Sequence, residues 1–404
     1  MIIKRKEPKH PRQGPSCLLV IFVFVGIVVG VFVIQNNEQA REIIFPTATP
    51  EPTRSAIEYA LLAQISQDDG ELEEALDHYE QAIKLDATNP EIFIRYINLL
   101  VKTGRAEDAV ARGEEAVVLA PDNDEVWTAV AAAHLANGER LLDAGDPTGA
   151  NLEYAKATQA AQRAIDLNPG NATAYAFAAG GLVNQGEPEL YQQAQLLAED
   201  GVAIDPDDPW PHYYLAEVLT NQGFYAAARE QYQLGILAND SIPELYIGLA
   251  YNFFGDGRVS DAILAFQDAI DVDPTNEKAY DGIAYMYLQL GQDVQAEENA
   301  LQSVQLNPDV ARAHGRLGEA YMRLNKFDLA VQEFSKAVDL YGDPTPNNSR
   351  FFFLLADAYM RAGLENCPQA VPLLQAVAEV NDFYLESVQE RLADCRRAEL
   401  QSSP

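Results

Sequence analysis

A glycine recurs along this chain at intervals that a repeated helical hairpin explains. Gly70, Gly104, Gly223, Gly257 and Gly291 each follow an apolar stretch of helical periodicity and precede another. Successive gaps are 34, 119, 34 and 34 residues, and Asn325 continues the series after a further 34. Asn is the usual substitute where a residue must take φ > 0. Five residues after each of these six positions stands an alanine: Ala75, Ala109, Ala228, Ala262, Ala296 and Ala330. Even if about one residue in seven were Ala, six matches would arise by chance on the order of one time in 10⁵. The gap of 119 is three periods plus 17. A helix pair from Trp127 to Pro169 carries 14 residues more than its neighbours, and the next, from Tyr175 to Pro206, carries three more. The register is therefore kept and the excess is localised. The elongated helices are expected to protrude, either as a tolerated insertion or as a partner site.

Two short helices joined by a glycine turn cannot bury both faces alone, so each pair must lean on the next. Small residues such as Ala284 and Ala296 let paired helices approach, and Tyr246 and Phe266 fill the gaps. The terminal proline stops the second helix. In AYDGIAYMYLQLGQDVQAEENALQSVQLNP, Tyr280, Ile283, Ala284 and Tyr287 occupy the first helix, and Ala296 and Pro308 the second helix and its end. The stretch from Leu245 to Pro274 repeats the pattern with Tyr246, Leu249, Ala250, Phe253, Ala262, Phe266, Ala269 and Pro274. On these residues, the chain from about 55 to 381 resembles the tetratricopeptide-repeat family. The resemblance implies an all-α, right-handed solenoid of about nine helix pairs. Some positions depart from the family pattern. Gly113 stands for the large aromatic of a second helix, His134 for a first-helix tyrosine, and Asp240 and Gly342 for the terminal proline.

The N-terminus reads as a membrane signal. Residues Leu18 to Ile34 are apolar throughout apart from two glycines, and 17–35 is expected to form a single transmembrane helix. Lys4, Arg5, Lys6, Lys9 and Arg12 precede it, so residues 1–16 are expected in the cytoplasm and the long C-terminal part outside. A cleaved signal peptide is the competing reading, but no A-x-A site follows the run. Cys17 precedes the run and is read as inert. Gly26 and Gly30 form a G-x-x-x-G that can pair membrane helices as a homodimer; glycine is also simply frequent in such helices. Residues 36–54 form a Pro/Thr-rich linker, with FPTATPEPTRS at its end.

The other end reads as a cap. Residues 382–404 are expected to form an amphipathic helix and tail, with Phe383, Leu385, Val388, Leu392 and Cys395 inward. If this helix runs antiparallel to the one starting near Cys367, then Cys367 and Cys395 either form a disulfide or remain buried thiols. Three cysteines are too few for a disulfide framework.

In the family resembled, the first helices line a concave groove that holds partners. The register places Trp210, Tyr213, Tyr251, Phe254, Tyr285, Met322, Arg323, Phe353, Met360 and Arg361 on that face. These residue types are enriched at interface centres. The alternative is that they pack between neighbouring helices. One subclass grips terminal carboxylates with Lys and Asn clusters; Ile94, Asn98, Lys102 and Asp281 match that pattern only in part.

No catalytic motif appears. The five histidines, His10, His78, His134, His212 and His314, lack metal-ligand spacing, and there is no Walker loop, G-x-G-x-x-G or G-x-S-x-G. No cofactor, metal or enzymatic activity is expected. The net charge of −33 argues against nucleic acid. The expected function is a membrane-anchored scaffold that binds a peptide or partner protein. The alternatives are a structural oligomerisation element or an accessory subunit of an envelope or secretion complex.

Overall fold

The computed structural model describes residues 17–36 and 54–402, with side chains over 21–33 and 54–400. The chain divides into two compact units, residues 1–55 and 56–404. In the first, α1 (Cys17–Asn36) is a 20-residue helix. Its described side chains are exposed apart from a half-buried Gly30, and nothing lies within 4 Å of a Cβ built on Gly26 or Gly30. Among the described residues no helix is long and apolar enough to cross a membrane. The span expected over 17–35 is thus seen only as a helix. The basic tail 1–16, and the linker between residue 36 and Arg54, lie outside the described residues.

The second unit is built of helix pairs. They are α2 (Ala56–Asp68) with α3 (Leu72–Leu85), α4 (Pro90–Lys102) with α5 (Ala106–Leu119), and α6 (Asp124–Asp143) with α7 (Pro147–Leu167). Next come α8 (Ala172–Val183) with α9 (Tyr191–Ile204), α10 (Pro209–Asn221) with α11 (Tyr225–Ala238), and α12 (Pro243–Gly255) with α13 (Val259–Val272). The last three are α14 (Glu277–Leu290) with α15 (Asp293–Leu306), α16 (Ala311–Arg323) with α17 (Phe327–Tyr341), and α18 (Ser349–Ala362) with α19 (Cys367–Val380). A final helix, α20 (Leu385–Ser402), follows. Each helix packs chiefly on its neighbours in sequence, as an all-α solenoid requires.

The turns explain why the spacing is fixed. The backbone is left-handed at Gly70 (φ +81°), Gly104 (+74°), Gly223 (+82°), Gly257 (+76°), Gly291 (+70°) and Asn325 (+58°). Gly145 (+81°) and Gly186 (+70°) supply the same turn in the two longer pairs. The alanine five residues after each of the six series positions is fully buried, and Ala150 holds that place after Gly145. Relative to the neighbouring pairs, α6 and α7 each gain seven residues, about two helical turns. The three extra residues of the next pair are a 3₁₀ turn, Pro188–Leu190.

Two contacts recur between pairs. The fully buried rings of Tyr232 on α11 and Phe266 on α13 lie against Gly248 on α12 and Gly282 on α14. A Cβ on either glycine would come within 2.5 Å or less of the ring. Gly113, which lacks the aromatic of its position, is filled from the other side by Val130, 2.9 Å from where its Cβ would be. The second contact is polar. In four pairs a first-helix aromatic or histidine donates to a carbonyl six residues earlier, in the loop that follows the preceding pair. Trp127 Nε1 reaches Pro121 O at 2.8 Å, His212 Nε2 reaches Pro206 O at 3.1 Å, Tyr246 Oη reaches Asp240 O at 3.2 Å, and His314 Nε2 reaches Pro308 O at 2.9 Å. These bonds tie those four pairs to the loops that deliver them.

At the C-terminus, Val388 and Cys395 of α20 are buried on α18 and α19, and Cys367 and Cys395 form a disulfide with Cα atoms 5.5 Å apart. Phe383 departs from the expected inner stripe. It sits in a 3₁₀ turn before α20 and is 82% exposed, because the neighbouring Tyr384 takes the inward place and stacks on Phe353 at 5.0 Å.

The left-handed turns give a direct test. Nothing stands within 4 Å of a Cβ on Gly223, so Gly223→Ala meets only the backbone cost of a left-handed residue, about 1–2 kcal/mol. Asn325→Gly, where the residue already tolerates this conformation, should change stability by much less. Chemical denaturation of the two variants measures the difference.

Candidate functional site

The structure brings some of the predicted groove residues together and spends others on packing. Tyr251 on α12 remains 38% exposed, with its ring edge against Phe266 at 5.1 Å. Phe254 meets Tyr285 on α14 at 5.4 Å, and the Arg316 guanidinium of α16 sits 4.3 Å over the Tyr285 ring. Trp210 and Tyr213 are half-buried in an aromatic group with Phe177 and Tyr214. Met322 is half-buried at the core between α16 and its neighbours. Arg323 donates to Leu288 O at 2.5 Å, and Arg361 pairs with Asp357 at 2.7 Å. Phe353 is stacked by Tyr384, and Met360 is buried in the core that α20 covers. Asn98 is exposed, whereas Asp281 is buried and bound to arginines.

The register did not reveal the charged group beside Tyr285. The elongated pair does not simply protrude. Its tip meets the first helices of the seventh and eighth pairs. Glu139, near the end of α6, accepts from Lys278 Nζ of α14 at 2.7 Å. Asp143, at the last turn of α6, accepts from Arg312 of α16 at 2.7 Å. Arg312 also lies 3.1 Å from Asp281, which Arg316 binds at the same distance. Past the tip, a Cβ on Gly145 would stand 3.1 Å from the Tyr341 ring and 3.4 Å from Asn348 Nδ2. These partners are 139 and 169 residues apart in sequence. Lys278 and Arg312 are 34 residues apart. That coincidence of register was the one available signal.

Exposure separates the two parts of this group. Asp281 is only 3% exposed, and although burial pushes its carboxyl up, Arg316 and Arg312 bring it below the usual carboxylate range. Glu139 and Lys278 are 44% and 42% exposed, and Asp143 and Arg312 are 28% and 31% exposed. Glu139 raises the Lys278 ammonium above the usual lysine range, against the effect of burial. Solvent screening still limits such half-exposed pairs to about 0.2–1 kcal/mol each. Nearby, burial pushes up the carboxyls of Glu217 and Glu244, and Glu217 accepts a short hydrogen bond from Tyr232. The face therefore presents exposed aromatic surface beside paired and crowded charges, a chemistry suited to recognition.

His134, His212 and His314 serve packing. His134 is buried with Nδ1 2.7 Å from Glu153, and His314 is buried with Nδ1 2.6 Å from Glu333. His212 reaches Gln231 at 2.8 Å. Among the described residues no group of three or more His, Cys, Asp or Glu is placed to hold a metal ion.

Family models described as tetratricopeptide repeat match residues 67–139, 295–344 and 316–365. Over those residues the chain carries tetratricopeptide repeats. It is 26% identical over 299 residues to a CTR9 homolog of Arabidopsis thaliana, a match covering 71% of this chain and 25% of that protein. It is 33% identical over 142 residues to Hsp70-Hsp90 organizing protein 2 of Arabidopsis thaliana, covering 35% and 22%. The chain thus spans about a quarter or less of these relatives. Among solved structures, the human IFIT1 dimer with PPP-AAAA superposes with a TM-score of 0.61 at 17% identity, covering 86% of this chain and 91% of that one. At that identity the likeness concerns the fold alone.

The histidine pairs predict an acid response. Burial pushes the Glu153 and Glu333 carboxyls up, but hydrogen bonds from Lys156 and His134, and from His314 and Lys336, outweigh it and leave both below 4.5. Their stabilisation is complete above the unfolded value and is lost as pH falls through the lower folded values. The variant with Glu153→Gln and Glu333→Gln should therefore show a smaller fall in melting temperature than the native chain between about pH 6 and about pH 3.

Proposed function

We propose that this chain is a membrane-tethered scaffold that holds an extended peptide or a helix of a partner protein on the inner face of its fifth to ninth helix pairs. The observation that carries this reading is the surface shared by α12, α14 and α16. There Tyr251, Phe254 and Tyr285 stand together, with Arg316 over the last ring. Aromatic and arginine side chains concentrated in one place are the usual centre of a protein interface. Tetratricopeptide-repeat proteins generally mediate protein–protein interaction and are usually not enzymes. The human IFIT1 structures hold PPP-AAAA or m7Gppp-AAAA. Here a net charge of −33 opposes a phosphate chain, which favours a protein occupant.

The tether rests on the apolar run Leu18 to Ile34 and the five cations before it. Its sign places the N-terminus in the cytoplasm and the solenoid outside. Removing residues 1–35 should shift the protein from the carbonate-resistant membrane fraction to the soluble one; an unchanged distribution would refute the tether. Gly26 and Gly30 favour a second reading, pairing of α1 helices, because their surface is open. Size measurement in detergent, with both glycines replaced by leucine, tests it.

The scaffold reading is tested with Tyr251→Ala and Tyr285→Ala together. Partner capture should fall by roughly tenfold or more, with helicity by circular dichroism unchanged. Undiminished capture by a folded double variant would count against the inner face.

A further inference from the structure

We infer that the elongated α6–α7 hairpin is an electrostatic strap across the inner face, latched by Glu139–Lys278 and Asp143–Arg312 and able to open while the rest of the solenoid stays folded. Three observations converge on this. The extension is about two turns on each helix, and its end is where the latch residues Glu139 and Asp143 sit. The hairpin is stiff enough to act as one body: Gly138 on α6 lies so close to the Tyr154 ring of α7 that a Cβ there would come within 2.3 Å of it. The latch is the weak element of the assembly, because its four side chains are 28–44% exposed. Asp281, by contrast, is 3% exposed and anchors Arg316 and Arg312 within the seventh and eighth pairs.

Opening therefore costs little on the receiving side. When Asp143 leaves, Arg312 keeps Asp281, so no charge is stranded in the interior. At the tip, Gly145 is withdrawn from beside Tyr341 and Asn348. Arg312 shares Asp281 with Arg316, whose guanidinium lies 4.3 Å over the Tyr285 ring, which puts the strap tip beside the aromatic surface. A chain lying on that surface must pass beneath the strap or displace it. This last step rests on the scaffold reading; the latch does not.

Hydrogen–deuterium exchange of the full-length protein in detergent, without any partner, tests the latch alone. The variant with Glu139→Gln and Asp143→Asn keeps side-chain size and leaves Arg312 with Asp281. Its amides at 139–150 should exchange about two- to thirty-fold faster than the native ones, with α2–α5 unchanged. Raising salt to about 0.5 M should speed the native tip in the same way, and the variant's tip much less. The charge-swapped variant, Glu139→Lys with Lys278→Glu, should restore most of the protection. An unchanged tip in the neutral variant, or acceleration spread evenly over all helices, would overturn the latch. If the latch opens as described but the neutral variant captures partner no faster, the strap stands and the partner's path beneath it is what fails.

Discussion

The ring of Phe266 lies where a side chain of Gly282 would be, and the ring of Tyr232 does the same at Gly248. Both rings are fully buried, and each crosses from the second helix of one pair to the first helix of the next. Burying such a ring is worth about 1.5–3 kcal/mol, and it is available only if the neighbouring pair is in place. A single pair offers no partner for the ring, so the fold exists only as a stack. The remaining geometry follows. The left-handed turn fixes the angle between paired helices, and the bond from the first helix to the preceding carbonyl fixes the angle between pairs. On α12 that arrangement leaves Tyr251 partly free of packing, 38% exposed.

This constraint made much of the fold legible in the sequence. A side chain that must meet its neighbour at a fixed distance recurs at a fixed interval. The positions of Gly70, Gly104 and Gly223, and the buried alanines after them, therefore announce themselves before any coordinates. The long third pair was legible for the same reason, because an insertion that keeps register must add whole turns. His212 and His314 could be assigned to packing, though the carbonyl each one reaches could not be named.

The candidate site was only partly legible. Register says which way a first-helix residue faces, but not whether something else already covers it. Met360 and Phe353 share the register of the groove, yet α20 and the segment before it close over both. Trp210 and Tyr213 are drawn into an aromatic group because α8 supplies Phe177 at the right place. The charges were invisible for a different reason. An ion pair between α6 and α14 spans 139 residues, and no local pattern records it.

That asymmetry has a functional side. Contacts that repeat hold neighbouring pairs together, so losing one disturbs the stack. Contacts between distant pairs occur once, are half-exposed, and are not needed for any single pair to fold. A solenoid that must hold its form while admitting a partner can vary only the second kind. Glu139, Asp143, Lys278 and Arg312 are of that kind, and Arg312 shares Asp281 with Arg316, which covers the Tyr285 ring. The rigid part of the molecule sets where an interface can lie. In the strap proposed above, the weakly paired charges across its inner face would set how readily such an interface is reached.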